Sequence, residues 1–166
     1  MSLQQLNDSL RQTHQLYSEL VELGLEKKDQ VIHNRLNDLT QTLTKESKVL
    51  KRLADADEAR VQAVLAFQRE IGLPASPAMP LSELPRHVAK ASDKATVEQL
   101  LKQISDKARE LKRINDLNQS LIEHALDFVE YSLELLVGLP EEVVYQAPAQ
   151  QTPAMKRSIG MFDTKA

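Results

Sequence analysis

The chain has no cysteine, no tryptophan, four glycines in 166 residues and only 4% aromatic side chains. Without cysteine there are no disulfides and no thiolate metal sites, which fits a reducing cytoplasm. Scarce aromatics argue against a small-molecule pocket, because such pockets are lined by aromatic side chains around converging polar groups. No run of about 18 apolar residues is available to cross a bilayer. Residues 1–25 also lack a basic start followed by an apolar block, so neither membrane insertion nor a leader is expected. Net charge is −3, with Lys and Arg scattered among acids. Even the cluster Lys107, Arg109, Lys112 and Arg113 is interleaved with Asp106, Glu110 and Asp116, which reads as a solvated helix face and not as a nucleic-acid stripe.

Metal and catalytic patterns are missing as well. Helical bundles build di-iron sites from Glu-x-x-His pairs, but the residues three before His14, His33, His87 and His124 are Arg11, Gln30, Leu84 and Leu121. No two histidines have zinc-ligand spacing, and there is no phosphate loop, nucleophile elbow or Ser/His/Asp grouping. We therefore expect no enzyme, no cofactor and no metal.

What is present is helical periodicity. With 27% charged and 42% hydrophobic residues, the composition suits long helices forming one domain plus a tail. Leu3, Leu6, Leu10, Tyr17, Leu20 and Val31 recur at three- and four-residue steps and predict a first helix over 2–32, weakened but not ended by Gly24. A turn at His33, Asn34 and Arg35 follows, since Asn tolerates the left-handed conformation that stops helices. The second helix shows a heptad seam at 36, 39, 43, 46, 50, 53, 57, 60, 64, 67 and 71. Its charged members Asp57 and Arg60 either pair as a polar layer or lean out to water with their stems on the seam.

Gly72 and Pro74 end that helix, and residues 71–80 form a Pro-rich connector. Ser82 is placed to cap a short helix reaching about Ala91, with Pro85 in its first turn. Ser92 or Asp93 then caps a third long helix that ends at Gly138, with Asn115 and Asn118 interrupting its seam and setting register. The predicted fold is all-α: an antiparallel bundle of three long helices plus one short helix in the second connector, over 1–138, followed by a flexible tail over 139–166.

The third helix is apolar around more of its circumference than one neighbour requires. Val97, Leu100, Leu101, Ile104 and Ala108 make an ordinary stripe roughly 100° wide, which continues through Ile122, Ala125, Val129, Leu133 and Leu136. Beside it a second stripe appears, made of Ile114, Leu117, Leu121, Phe128 and Leu135. The two together span roughly 240° and leave only Asp116, Glu123, Asp127, Glu130 and Glu134 for water. Either the bundle itself covers the second stripe, or part of it receives a partner helix. In the tail, Ile159, Met161 and Phe162 lie close to Lys156, Arg157 and Lys165, the composition of a docking peptide or of a plain disordered end.

Several motifs carry a resemblance to a known family. Thr44-Lys-Glu, Leu81-Ser-Glu-Leu after Gly-Leu-Pro, the run Leu111-Lys-Arg-Ile-Asn-Asp-Leu-Asn-Gln-Ser-Leu-Ile-Glu, then Phe128-Val-Glu-Tyr-Ser-Leu-Glu-Leu-Leu and the terminal Phe162-Asp-Thr-Lys-Ala resemble the FlgN flagellar export chaperones over nearly the whole chain. The Leu-Asn-Gln and Glu-Tyr-Ser-Leu runs and the FDTKA end are the most specific parts. The resemblance implies a cytoplasmic chaperone that holds hook-associated (hook-filament junction) proteins and delivers them to the flagellar type III export gate. A spare apolar helix face would cover a client's helical terminus, and Ile114, Leu117, Leu121, Phe128, Tyr131 and Leu135 are the client-binding candidates. The resemblance also implies a tyrosine contact with the cytoplasmic platform of the export gate. Tyr145 is the positional candidate, Tyr131 competes with it, and Ile159, Met161 and Phe162 are the other docking residues. The alternative is a self-associating coiled-coil protein whose spare face makes a homodimer.

Overall fold

The computed structural model describes residues 1–138. All regular structure among them is helical: α1 (Ser2–Ile32), α2 (Leu36–Glu70), a short 3-10 helix (Leu81–His87) and α3 (Ala91–Val137). The chain divides into two compact units, Met1–Val129 and Glu130–Ala166, and of the second only residues 130–138 are described. The tail expected over 139–166, with Tyr145, Ile159, Met161 and Phe162, lies outside the described residues.

α1 and α2 form an antiparallel hairpin. Their contacts step in opposite directions along the chain: the Ser2 amide donates to Glu70, Arg52 pairs with Glu19, Lys27 with Glu46, and Gln30 donates to Thr42. α1 turns inward Leu6, Leu10, Thr13, Leu16, Leu20 and Leu23, a three- and four-residue rhythm. Asn34 closes the helix in the left-handed region at φ 53°, and the Arg35 amide returns 2.8 Å to the Gln30 carbonyl. That is the turn the sequence predicts.

α2 keeps its predicted seam at Val64 and Phe67, which are buried, and departs from it nearer the Asn34 turn. Thr42, Val49, Ala56 and Ala63, seven residues apart, are buried, whereas Leu36, Leu43 and Leu50 on the seam are 65%, 45% and 50% exposed. Short side chains let two helix backbones approach closely, so α2 turns its small residues toward α1 and the bulkier leucines beside them stay partly in water. Asp57 and Arg60 do pair, Arg60 Nε lying 3.1 Å from Asp57 Oδ1, with the arginine side chain largely covered and the aspartate in solvent.

Gly72, at φ 75°, ends α2. The fully buried Gln68 near the end of α2 accepts from the amide of Ser76 in the connector at 2.7 Å and donates to the Ser76 carbonyl at 3.1 Å. The short helix is shorter and tighter than the sequence suggests, a 3-10 turn over Leu81–His87. Pro85 inside it has no N–H to give and disfavours an α conformation at Leu84, so the tighter turn is the geometry left. Its Leu84, with Val88 just after it, joins the larger apolar cluster with Leu6, Leu10, Val64, Phe67, Val97 and Leu100. A second cluster higher on the hairpin comprises Leu16, Leu20, Leu23, Val49 and Ala56, with Leu53 and Leu111 packed against it.

α3 runs parallel to α1 and meets it most closely at Gly24. A Cβ there would stand 2.8 Å from Ile114 Cγ2, and Asn118 Nδ2 donates to the Gly24 carbonyl at 2.8 Å. Alanine at 24 would raise helix propensity by about 1 kcal/mol, but a methyl forced against a stiff β-branched side chain costs about 1–3 kcal/mol. Gly24→Ala is therefore expected to lower stability by up to about 2 kcal/mol in urea unfolding. In an Ile114→Ala background the same change should be neutral or stabilising. An equal loss in both backgrounds would show that the clash is not the cause.

Candidate functional site

The three long helices are unequal. α3 has 47 residues and α1 has 31, about 70 Å against about 46 Å at the α-helical rise. α3 buries Val97, Leu100, Ile114 and Asn118, and nothing after Asn118. Asn118 is itself buried, with its Oδ1 unpartnered among the described residues. Beside it a cleft of about 410 Å³ opens between Lys27 and Glu46 of the hairpin and Asn115, Asn118, Gln119, Ile122 and Glu123 of α3. The Lys27–Glu46 pair, at 2.6 Å, has both side chains mostly shielded and forms the cleft's polar wall.

Beyond the cleft the first unit carries Ile122, Leu126, Phe128 and Val129 exposed. In the second unit Tyr131, Leu133, Leu135, Leu136 and Val137 are each half exposed or more. Leu117–Val137 contains Glu123, Asp127, Glu130 and Glu134 and no Lys or Arg. Each unit thus carries an apolar helical surface with acidic residues among it. Among the described residues no three His, Cys, Asp or Glu gather to hold a metal, and no helix is long and apolar enough to cross a membrane.

The six client-binding candidates fall into three environments. Ile114 is 1% exposed and belongs to the core against Gly24, so it is unavailable to a partner while the bundle is closed. Leu117 and Leu121 are half-buried, and Phe128, Tyr131 and Leu135 are exposed. Sequence reasoning divided α3 by face, assigning one stripe to the core and the other to a partner or the core. The structure divides it by length. Of the supposed core stripe, Ile122 and Val129 in the first unit and Leu133 and Leu136 in the second are exposed too. The signal was in the element lengths, since α3 has more residues than either helix of the hairpin.

The model of the FlgN protein family matches residues 1–153. The chain belongs to the FlgN family. FlgN proteins are flagellar export chaperones, not catalysts; they act in the cytoplasm and bind flagellar hook-associated proteins. Uncharacterized protein YvyG of Bacillus subtilis (strain 168) is 25% identical to this FlgN chain over 168 residues, spanning 100% of both. No solved structure matches.

The division by length has a direct test in this FlgN protein. Leu126→Asp and Leu135→Asp, on exposed positions, should change unfolding free energy by no more than about 0.5 kcal/mol. Ile114→Asp, which forces an unpaired charge into the core, should cost several kcal/mol. Equal melting losses for Leu126→Asp and Ile114→Asp would mean that the end of α3 is packed.

Proposed function

We propose that residues 121–137 of α3 hold the helical terminus of a hook-associated protein in the cytoplasm until it passes to the flagellar type III export gate. The observation that carries this reading is the run of exposed large apolar side chains after Asn118. Fully burying one Leu or Phe contributes about 1.5–3 kcal/mol, so covering several of them outweighs the ordering of a client segment. An amphipathic client helix suits the site because Leu121, Phe128 and Leu135 stand seven residues apart and offer successive holes to a heptad stripe. Glu123, Asp127, Glu130 and Glu134 edge the surface and favour a client stripe bordered by Lys or Arg. Leu117 forms the half-buried start of the same face.

Delivery belongs to the segment after α3. In this reading Ile159, Met161 and Phe162, or Tyr145, dock on the cytoplasmic platform of the gate, with Tyr131 as the competing contact. Co-expression with a hook-associated protein should give a soluble one-to-one complex that Phe128→Asp or Leu135→Asp abolishes without lowering the melting temperature. Complex formation undiminished in both variants would remove the client role of this surface. Deleting residues 161–166 should leave the complex intact and reduce secretion of the client; unchanged secretion would eliminate terminal docking.

A further inference from the structure

The cleft beside Asn118 is short of hydrogen-bond donors. Asn118 is 3% exposed, and while its Nδ2 is engaged by the Gly24 carbonyl, its Oδ1 has no partner among the described residues. The amide cannot be turned round, because its oxygen would then face the Gly24 carbonyl oxygen. A buried acceptor left open in this way is uncommon, and it marks a place for a donor from outside the chain. The charged lining adds two carboxylates, Glu46 and Glu123, against one ammonium, Lys27. Lys27 Nζ is held by Glu46 Oε1 at 2.6 Å. The acid left over, Glu123, accepts from the neutral Gln119 amide at 3.0 Å.

That lining selects among possible occupants. An anion would meet two carboxylates, and a group that only accepts would gain nothing from Asn118 Oδ1. A water molecule would leave the charge of Glu123 uncompensated. A lysine ammonium is a compact, strongly hydrated point charge that would compete with Lys27 for the same carboxylate. A guanidinium is planar, more weakly hydrated and carries five N–H donors in a fixed fork. It can pair with Glu123 along one edge, offer another N–H to Asn118 Oδ1, and lay its face against Ile122. The cleft, at about 410 Å³, has room for such a group and part of its stem.

We propose that this cleft is an arginine subsite, which takes the guanidinium of one arginine on the helix of the hook-associated client. The inference rests on the reading that the end of α3 holds that helix, and it adds the contact that sets the helix in register. Ile122 belongs to both surfaces, since it lines the cleft and is the first exposed large apolar residue after Asn118. Asn118 Oδ1 is shielded in the free chain, so the N–H reaches it as side chains of the cleft re-adjust, an ordinary change at an interface. Apolar holes seven residues apart accept a heptad stripe in more than one register. A single arginine anchored in a polar cleft admits one of them, as a buried polar residue does in a coiled coil.

Titration of the full chain with N-acetyl-arginine amide, followed by nuclear magnetic resonance with N-acetyl-lysine amide as the control, tests the site directly. The arginine probe should shift the side-chain amide resonances of Asn118 and Gln119 saturably in the millimolar range, and the lysine probe should leave them in place. Glu123→Gln should weaken the arginine probe about fivefold or more with an unchanged melting temperature, because Glu123 is exposed. Glu123 is the residue to vary, since replacing Asn118 would also remove its bond to Gly24. An equal response to both probes, no response, or indifference to Glu123→Gln would overturn the proposal. In the client complex Glu123→Gln should lower affinity about tenfold. An arginine-to-lysine scan of the client's helical terminus should find one position whose loss is no worse together with Glu123→Gln than alone. A client in which every such loss adds to Glu123→Gln would overturn the assignment. Client binding lost in Phe128→Asp and Leu135→Asp yet unchanged in Glu123→Gln would remove the arginine subsite and keep the proposed function. Client binding that survives both apolar variants but falls in Glu123→Gln would reject the proposed function and keep the arginine site.

Discussion

The closeness of α3 to α1 at Gly24 is the constraint on which the rest of this bundle depends. With no side chain at 24, Ile114 reaches the α1 backbone and Asn118 reaches the Gly24 carbonyl. The amide of Asn118 is buried, so any axial slip of α3 along α1 would leave its N–H₂ without an acceptor in a dry place, at about 1–3 kcal/mol. One hydrogen bond therefore fixes the register of two helices 94 residues apart in sequence. It also marks where the covered part of α3 stops. Further along α3, still in the first unit, Ile122, Leu126 and Val129 stay exposed.

The hairpin follows a complementary rule. Its lower interface is apolar, while toward the turn it becomes polar, with the Lys27–Glu46 pair and the Gln30–Thr42 hydrogen bond. Shielded polar pairs of this kind add little net stability, but breaking one leaves an orphaned partner, so they discriminate strongly between registers. Apolar clusters hold the helices together, and the polar layers decide how they are aligned. The price is an interface near the turn that holds less tightly than the one near the connector.

Much of this was legible in the sequence, and what was not has identifiable causes. The α1 boundaries, the left-handed Asn34 turn, the break at Gly72 and the end of α3 before Gly138 are local events governed by neighbours in the chain, and spacing reads them well. The facing of α2 is not local. Leucines at 36, 43 and 50 outweigh Thr42, Val49, Ala56 and Ala63 on any hydrophobic count, yet the smaller residues are buried because close approach of backbones covers more surface than the larger side chains would from further away. The 3-10 geometry at Leu81–His87 was missed because Pro85 was counted as tolerable in a first turn, when it lies in the middle of the segment. At the candidate site Phe128, Tyr131 and Leu135 are exposed and Ile114 is buried, a difference that a helical wheel, which has no axial coordinate, does not reveal. The FlgN motifs identified the family, but no motif says where a neighbouring helix ends.

Gln68 has a consequence for how force and fluctuation distribute along the first unit. By taking the Ser76 N–H and giving to the Ser76 C=O, its side-chain amide pairs as a peptide group does in a two-stranded ladder. The Pro-rich loop is thus tied to the end of α2 that also carries the larger apolar cluster. The opposite end, at Asn34, has only its turn and polar layers. Openings of lowest free energy should then start at the Asn34 turn and travel toward the connector, which behaves as a clamp. A bundle clamped at one end frays from the other while its base keeps the fold.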